Sequence, residues 1–346
     1  MADQSQKSGD SSFSIQAKTI SITTGITYSE AKEIALDVFK TNFIQLKGEA
    51  LQLVDARAEE LLTSYLEKLQ NEKPGAIGAM ADPDVQYAIF ESQKAYARSG
   101  KKELGDLLVD ILVERTKRND EELKKIVLNE CIEAAPKLTE SQINVLTLRF
   151  LICHTQKNDI ATISDFHNYF VDYVKPFCNK LTRHISDYQH LNYTGCASIS
   201  MGSNDLHGIL SKTYQGLLTK GFDQKELDSQ TLSEDQKKKL IIPCLRDPSK
   251  FQLNTRAEEE FTEKAKEAGL TDGQRDTLLS FNRRVLSTGE LDTELIKADP
   301  IMQDFISCWR KSQFKSMDLT SVGIAIAVAN VKKTIGESID LSIWIK

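Results

Sequence analysis

Residues 318–334, DLTSVGIAIAVANVKKT, include the longest apolar run of the chain, from Val322 to Val331. The apolar positions fit a helix when counted in steps of three and four, and also a strand when counted in steps of two. We interpret the run as a helix, because Thr320 can cap its N-terminus and alanine is a strong helix former. It is too short to cross a bilayer, which takes about 20 apolar residues.

Most of the remaining chain has the periodicity of amphipathic helices. Thr27 and Glu30 have the spacing of a capping box, which predicts a helix start. Asp82 followed by Pro83 predicts another start, and Gly100 predicts the end of that helix. The sequence therefore predicts a mainly α fold, a multi-helix bundle.

Strand-like alternation is concentrated at the two ends of the chain, at about 13–24 and about 337–345. An isolated β segment needs hydrogen-bonding partners for its backbone. The two segments can pair within one chain, the N-terminal segment can pair between copies, or residues 1–25 can be a loose tail. We favour the second, which predicts a homo-oligomer. The oligomerisation residues would be Phe13, Ile15, Ala17, Ile20 and Ile22.

The chain has 346 residues, enough for roughly two domains. A polar loop begins near residue 193 and provides a boundary. We predict a leader with the β oligomerisation segment at 1–26, a helical domain at 27–192, and a second helical domain at 193–346 that ends in a helix and a strand.

Composition restricts the classes of function. The net charge is −6, which argues against non-specific nucleic-acid binding, because such binding needs a positive surface. The six cysteines are scattered without a CxxC pair, and the polar start has no signal-peptide pattern. We expect a cytoplasmic protein that does not enter the membrane.

No sequence motif defines a catalytic site. Residues 153–207 contain all five histidines, and a hydrolase or metal enzyme using this region is one alternative. Its weak metal candidates are Cys178, His184, His190 and Cys196. Their spacing of six residues differs from that of usual zinc ligand pairs. We therefore expect no metal and no cofactor, and we lean towards a protein without enzymatic activity.

A nucleic-acid-binding regulator is the second alternative. Helices at 299–314 and 319–331, followed by the final strand, would build a winged-helix-like unit. Its basic face would consist of Lys237, Lys238, Lys239, Arg283, Arg284, Lys332 and Lys333. The helix at 319–331 offers few polar side chains for reading bases, so nucleic acid is an unfavoured partner.

Four stretches resemble known bacterial sequences. QKSGDSSFSIQAKTISI (6–22) resembles a GDxSxxIQA-type N-terminal leader, found in part near phage-defence genes. With ITYSEAKEIALDVF (26–39) and ARSGKKELGDLLVDILVERT (97–116), the chain resembles a poorly characterised bacterial helical family. LTSVGIAIAVANV (319–331) is similar to an LTxxGxxIxxAxV element of abortive-infection-type proteins.

The resemblance implies a context of antiviral defence in a bacterial cytosol and supplies no catalytic residues. We therefore expect a non-enzymatic, oligomeric helical protein that acts as a sensor, scaffold or effector in anti-phage defence, with a possible protein partner.

Overall fold

The structure is a computed structural model that describes residues 26–42, 48–117, 122–255 and 257–346. The predicted fold class is confirmed, since the described chain is mainly helical and has two small antiparallel sheets. No helix in these ranges is long and apolar enough to cross a membrane. The predicted leader segment at 13–24, with Phe13, Ile15, Ala17, Ile20 and Ile22, lies outside the described residues.

The described ranges contain 17 α-helices and four short strands. The helices are α1 Tyr28–Asn42, α2 Glu49–Glu72, α3 Pro83–Ser99, α4 Lys102–Lys117, α5 Glu122–Ala134, α6 Glu140–Cys153, α7 Ile163–Tyr169, α8 Ile185–Tyr193, α9 Leu206–Thr213, α10 Gln215–Leu218, α11 Gln224–Asp228, α12 Glu234–Leu240, α13 Glu258–Glu267, α14 Asp272–Asn282, α15 Thr288–Ala298, α16 Met302–Lys311 and α17 Ser321–Ile335. The strands are β1 Ala197–Ile199, β2 Ile241–Pro243, β3 Phe251–Leu253 and β4 Met317–Leu319.

The predicted helix ends are confirmed at α1 and α3. The backbone N–H of Glu30 donates to the Thr27 hydroxyl, and the Glu30 carboxylate accepts from the Thr27 N–H at 2.9 Å. The Asp82 carboxylate accepts from the N–H of Asp84 at 2.9 Å and caps α3. Gly100 ends α3 in the left-handed conformation, with φ of 61°, which glycine adopts without steric cost.

Helix α17 lies at the centre of the fold, and its interpretation as a helix is confirmed. Every residue from Val322 to Val331 is buried, and α17 packs against α4, α5 and α6. A helix that is apolar on all sides requires neighbours on all sides. Its one buried amide, Asn330, is satisfied because it donates to the Thr147 hydroxyl at 2.9 Å.

The start of α17 is fixed against β1. Strand β1 pairs antiparallel with β4, which directly precedes α17. The Thr320 hydroxyl accepts from the N–H of Gly323 and donates to the carbonyl of Gly195 at 2.6 Å. A Cβ atom at position 323 would lie 1.9 Å from the carbonyl oxygen of Cys196, so this close approach requires glycine.

Residues 220–284 form an inserted module with a core of its own. The chain enters and leaves the module side by side, because Thr219 and Val285 form an antiparallel bridge. The module encloses a separate buried cluster that includes Phe222, Leu253 and Phe261. The main cluster extends across residue 193, with members on both sides of the predicted domain boundary, and the division there stays a prediction.

The predicted C-terminal strand at 337–345 is wrong. Residues Leu341–Ile343 form a 3₁₀ turn, and the N–H of Ile345 donates to the carbonyl of Leu341 at 2.9 Å. Leu341 and Ile345 are buried, whereas Ile343 is 64% exposed. The segment closes its hydrogen bonds locally and buries one side on the helices, so it needs no strand partner. The winged-helix-like arrangement thereby loses its strand.

Candidate ligand pocket beside the C-terminal segment

A cavity of about 370 Å³ opens between the end of α6, the π turn Phe170–Val174 and the C-terminal segment 337–344. We call it the aromatic pocket. Its apolar lining includes Tyr169, Ile339 and Trp344, and its polar lining includes His154, Lys157 and Tyr173. Its volume and its mixture of aromatic and few polar groups are typical of small-molecule sites.

Aromatic rings form the walls of the pocket. Tyr169 and Tyr173 lie one turn apart and stack at a centroid distance of 5.6 Å. On the other side, the indole of Trp344 packs edge-on against Phe150 at 4.9 Å. Such contacts hold large rings in fixed orientations, so the walls are set before a ligand enters.

A chain of polar contacts crosses the rim. The Lys157 ammonium donates to the Tyr173 hydroxyl at 3.2 Å, and this hydroxyl donates to the Glu337 carboxylate at 3.3 Å. The bond to Tyr173 and the ion pair with Asp159 at 3.2 Å raise the pKa of Lys157. Lys157 is therefore cationic, and the adjacent carboxylates neutralise it.

His154 is an uncharged polar group in this pocket. Burial, with the nearby Arg149 guanidinium as a second cause, lowers the pKa of His154 below 6.5. Its ring stacks on Phe150 with an interplanar angle of 12°. At neutral pH the imidazole thus presents one donor and one acceptor without a charge.

The thiols near this region are poor nucleophiles. Burial raises the pKa of the Cys153 thiol to about 11 and that of Cys178 to about 12. The thiolate is the reactive form of cysteine, so both side chains are protonated at neutral pH. Neither thiol is among the lining residues of the aromatic pocket.

The four weak metal candidates do not come together as a ligand set. The Cys178 thiol contacts the Val174 carbonyl at 3.3 Å, and the Cys196 thiol contacts Thr194. The His190 ring contacts the Gln142 amide at 3.1 Å, while His184 is the residue that precedes α8. Within the described ranges no group of three or more potential ligand residues is positioned to hold a metal ion.

The predicted basic residues are spread over different parts of the fold. Lys237, Lys238 and Lys239 are on α12, Arg283 and Arg284 follow α14, and Lys332 and Lys333 are on α17. Arg283 pairs with Glu258 at 2.5 Å and Arg284 with Glu226 at 2.7 Å. Lys237 pairs with Glu234 at 3.0 Å, so three of the seven positive charges are neutralised within the inserted module.

Sequence reasoning did not identify the aromatic pocket. The richness of 166–191 in aromatic residues and the adjacent Cys153 and His154 were visible in the sequence. Nothing in the sequence indicated that Trp344 and Glu337 would lie beside them, because more than 140 positions separate the two regions. The alternation at 337–345 suggested a strand, whereas in the structure this segment forms one wall of the pocket.

Comparisons with known proteins identify a family but name no activity for it. One family model, whose description names no activity, matches residues 25–345. No curated protein and no solved structure matches the chain significantly. The matched range includes the whole helical fold and the aromatic pocket. The chain therefore belongs to the family that this model defines.

Proposed function

We propose that the protein is a non-enzymatic, self-associating helical sensor in the cytoplasm of a bacterium, where it takes part in defence against phages. The observation that carries the proposal is the aromatic pocket, which provides a recognition site within the helical fold. The defence context rests on the resemblance of the leader and of the LTxxGxxIxxAxV element to proteins of that kind.

The pocket favours a planar aromatic or heteroaromatic ligand of low net charge. Tyr169, Tyr173 and Trp344 offer ring faces and edges, on which planar molecules stack. Lys157 and Glu337 are joined through the Tyr173 hydroxyl, so the rim offers paired charges rather than a single sign. A strongly charged ligand would have to break this pairing.

The position of the pocket links ligand binding to the C-terminal segment. The C-terminal segment contributes Glu337, Ile339 and Trp344 to one wall, and it is held to the core through buried Leu341 and Ile345. A ligand that fills the pocket adds contacts to this segment and stabilises its docked position. Any partner that recognises the docked segment would then respond to the ligand.

Intrinsic fluorescence tests the recognition step. The chain has two tryptophans, and only Trp344 lines the pocket, since Trp309 is buried elsewhere and 1% exposed. Adenine and guanine serve as planar heteroaromatic probes for titration of the full-length protein. We expect saturable quenching that disappears in W344F, in which Trp309 remains as the reporter.

A second variant measures the stacking contribution. In Y173A, one wall of the pocket and the link between Lys157 and Glu337 are lost together. Stacking on an aromatic side chain is worth about 1–3 kcal/mol per base, so Y173A should weaken binding about ten- to a hundredfold. Y193A is the matched control, because Tyr193 is 86% exposed and outside the pocket. Equal affinities of Y173A and Y193A would contradict the proposed site.

Light scattering tests the assembly. The full-length protein is compared with a variant that begins at Gly25. We expect a defined oligomer for the former and a folded monomer for the latter. If both have the same number of subunits, the leader has no role in assembly. If both are monomers, the sensor acts without self-association.

A further inference from the structure

A second cavity, of about 280 Å³, lies between the start of α4, the start of α6, residues 176–179 and the last turn of α17. We call it the Lys333 cavity. Its floor includes Leu104, Ile143 and Phe177, and the last turn of α17 contributes Lys333. None of its residues was identified as part of a site by the metal or catalytic motifs in the sequence.

Lys333 is half-buried and has no carboxylate within 4.0 Å among the described residues. Its neighbour Lys332 differs, because it pairs with Glu72 at 2.7 Å and with Asp110 at 3.5 Å. Burial lowers the pKa of Lys333, although four nearby carboxylates, among them Glu103 and Glu140, act in the opposite direction and raise it. A half-buried ammonium without an anionic contact is poorly solvated, and an entering carboxylate would relieve this.

The same cavity also contains hydrogen-bond acceptors. Glu103 and Glu140 line it, and so do the amides of Asn144 and Asn330, which are 7% and 2% exposed. The Asn330 N–H₂ group donates to the Thr147 hydroxyl, so the side-chain carbonyl oxygen of Asn330 remains as an acceptor. These groups suit an ammonium group, which donates three hydrogen bonds and accepts none.

The charges of the lining balance. Lys101 and Lys333 contribute two positive charges, while Glu103 and Glu140 contribute two negative ones, and Glu140 also pairs with Lys180 at 3.2 Å. A ligand with only a negative charge would meet the two glutamates, and one with only a positive charge would meet Lys333. A small molecule with both charges satisfies both sets.

We propose that the Lys333 cavity binds a free α-amino acid, with its carboxylate on Lys333 and its ammonium group on the acceptors contributed by Glu103, Glu140 and Asn330. The apolar floor then receives the side chain of the ligand. This site is independent of the aromatic pocket and of the proposed sensor function.

Calorimetric titration of the full-length protein with each of the protein amino acids, one at a time, tests the proposal. We expect at least one of them to bind in a single-site isotherm. K333M should weaken that binding about ten- to a hundredfold, as is typical when one partner of a charged hydrogen bond is removed. K266M is the control, because Lys266 is exposed on α13 in the inserted module.

Two smaller molecules, each with one of the two charged groups of an amino acid, test whether both groups are needed for binding. Acetate carries only the carboxylate and methylamine only the ammonium group, and we expect each to bind at least about tenfold more weakly than the amino acid. E103Q should weaken binding of the amino acid but not that of acetate, and it serves as the second variant if K333M does not fold. Absence of binding by every amino acid, equal affinity in K333M and K266M, or acetate binding as tightly as the amino acid would each overturn the proposal.

Discussion

Replacement of Gly323 by alanine tests the junction between α17 and β1. The added Cβ would lie 1.9 Å from the Cys196 carbonyl oxygen, where ordinary contacts begin at 3.4 Å, so the two backbones must separate by about 1.5 Å. That separation strains two hydrogen bonds from Thr320, at 3.2 and 2.6 Å. Overpacking costs about 1–3 kcal/mol, and each hydrogen bond contributes about 1 kcal/mol. The better helix propensity of alanine returns about 1 kcal/mol, which leaves a net loss of about 3 kcal/mol.

Urea unfolding followed by circular dichroism measures this loss in the free energy of unfolding. G289A provides the control, because Gly289 is also near the start of a helix, α15, and a Cβ there has no neighbour within 4 Å. We expect G289A to be as stable as the parent protein or slightly more stable. If G323A is within about 0.5 kcal/mol of the parent, α17 does not pack on β1 as closely as described.

Three further perturbations test other parts of the fold. The pKa of His154 is lowered in the folded state, so the unfolded state binds its proton first as the pH falls. The free energy of unfolding should therefore decrease as the pH is lowered from about 7, and less steeply in H154Q, as measured by urea unfolding at a series of pH values. Replacing 220–284 with Asn-Gly, which forms a two-residue hairpin turn, should leave a folded main core with a cooperative thermal transition; a molten product would show that the module is required for folding. K332M removes one of the cations beside buried Asp110 and should lower the free energy of unfolding by about 2 kcal/mol. K297M, at an exposed ion pair, should lower it by less than about 0.5 kcal/mol. Equal losses of stability in denaturant unfolding of the two variants would contradict the importance of the buried pair.

Helix ends were the most predictable feature of this protein. The Thr27–Glu30 capping box and the Asp82-to-Gly100 helix depend on contacts between residues a few positions apart. Such signals are local, so a sequence pattern contains all the groups involved. The central helix α17 was predictable for a related reason, because Thr320 supplies its cap within the same segment.

The small sheets and the cavities could not be predicted from the sequence. Strands β1 and β4 pair although more than 110 residues separate them, and neither is longer than three residues. The aromatic pocket combines Tyr173 with Trp344, and the Lys333 cavity combines Glu103 with Lys333. Each depends on helices from distant parts of the chain packing at particular angles, which no local pattern specifies.

The sequence alone determined that the chain is mainly helical, where several helices begin and end, and that Val322–Val331 would be a helix. Tertiary structure decided that α17 is central, that Leu341 and Ile345 belong to a turn rather than a strand, and which polar groups meet in each cavity. The physical reason is the range of the interactions. Caps and helical periodicity act over one or two turns, whereas a β segment and a cavity wall are defined by the partners that packing brings to them.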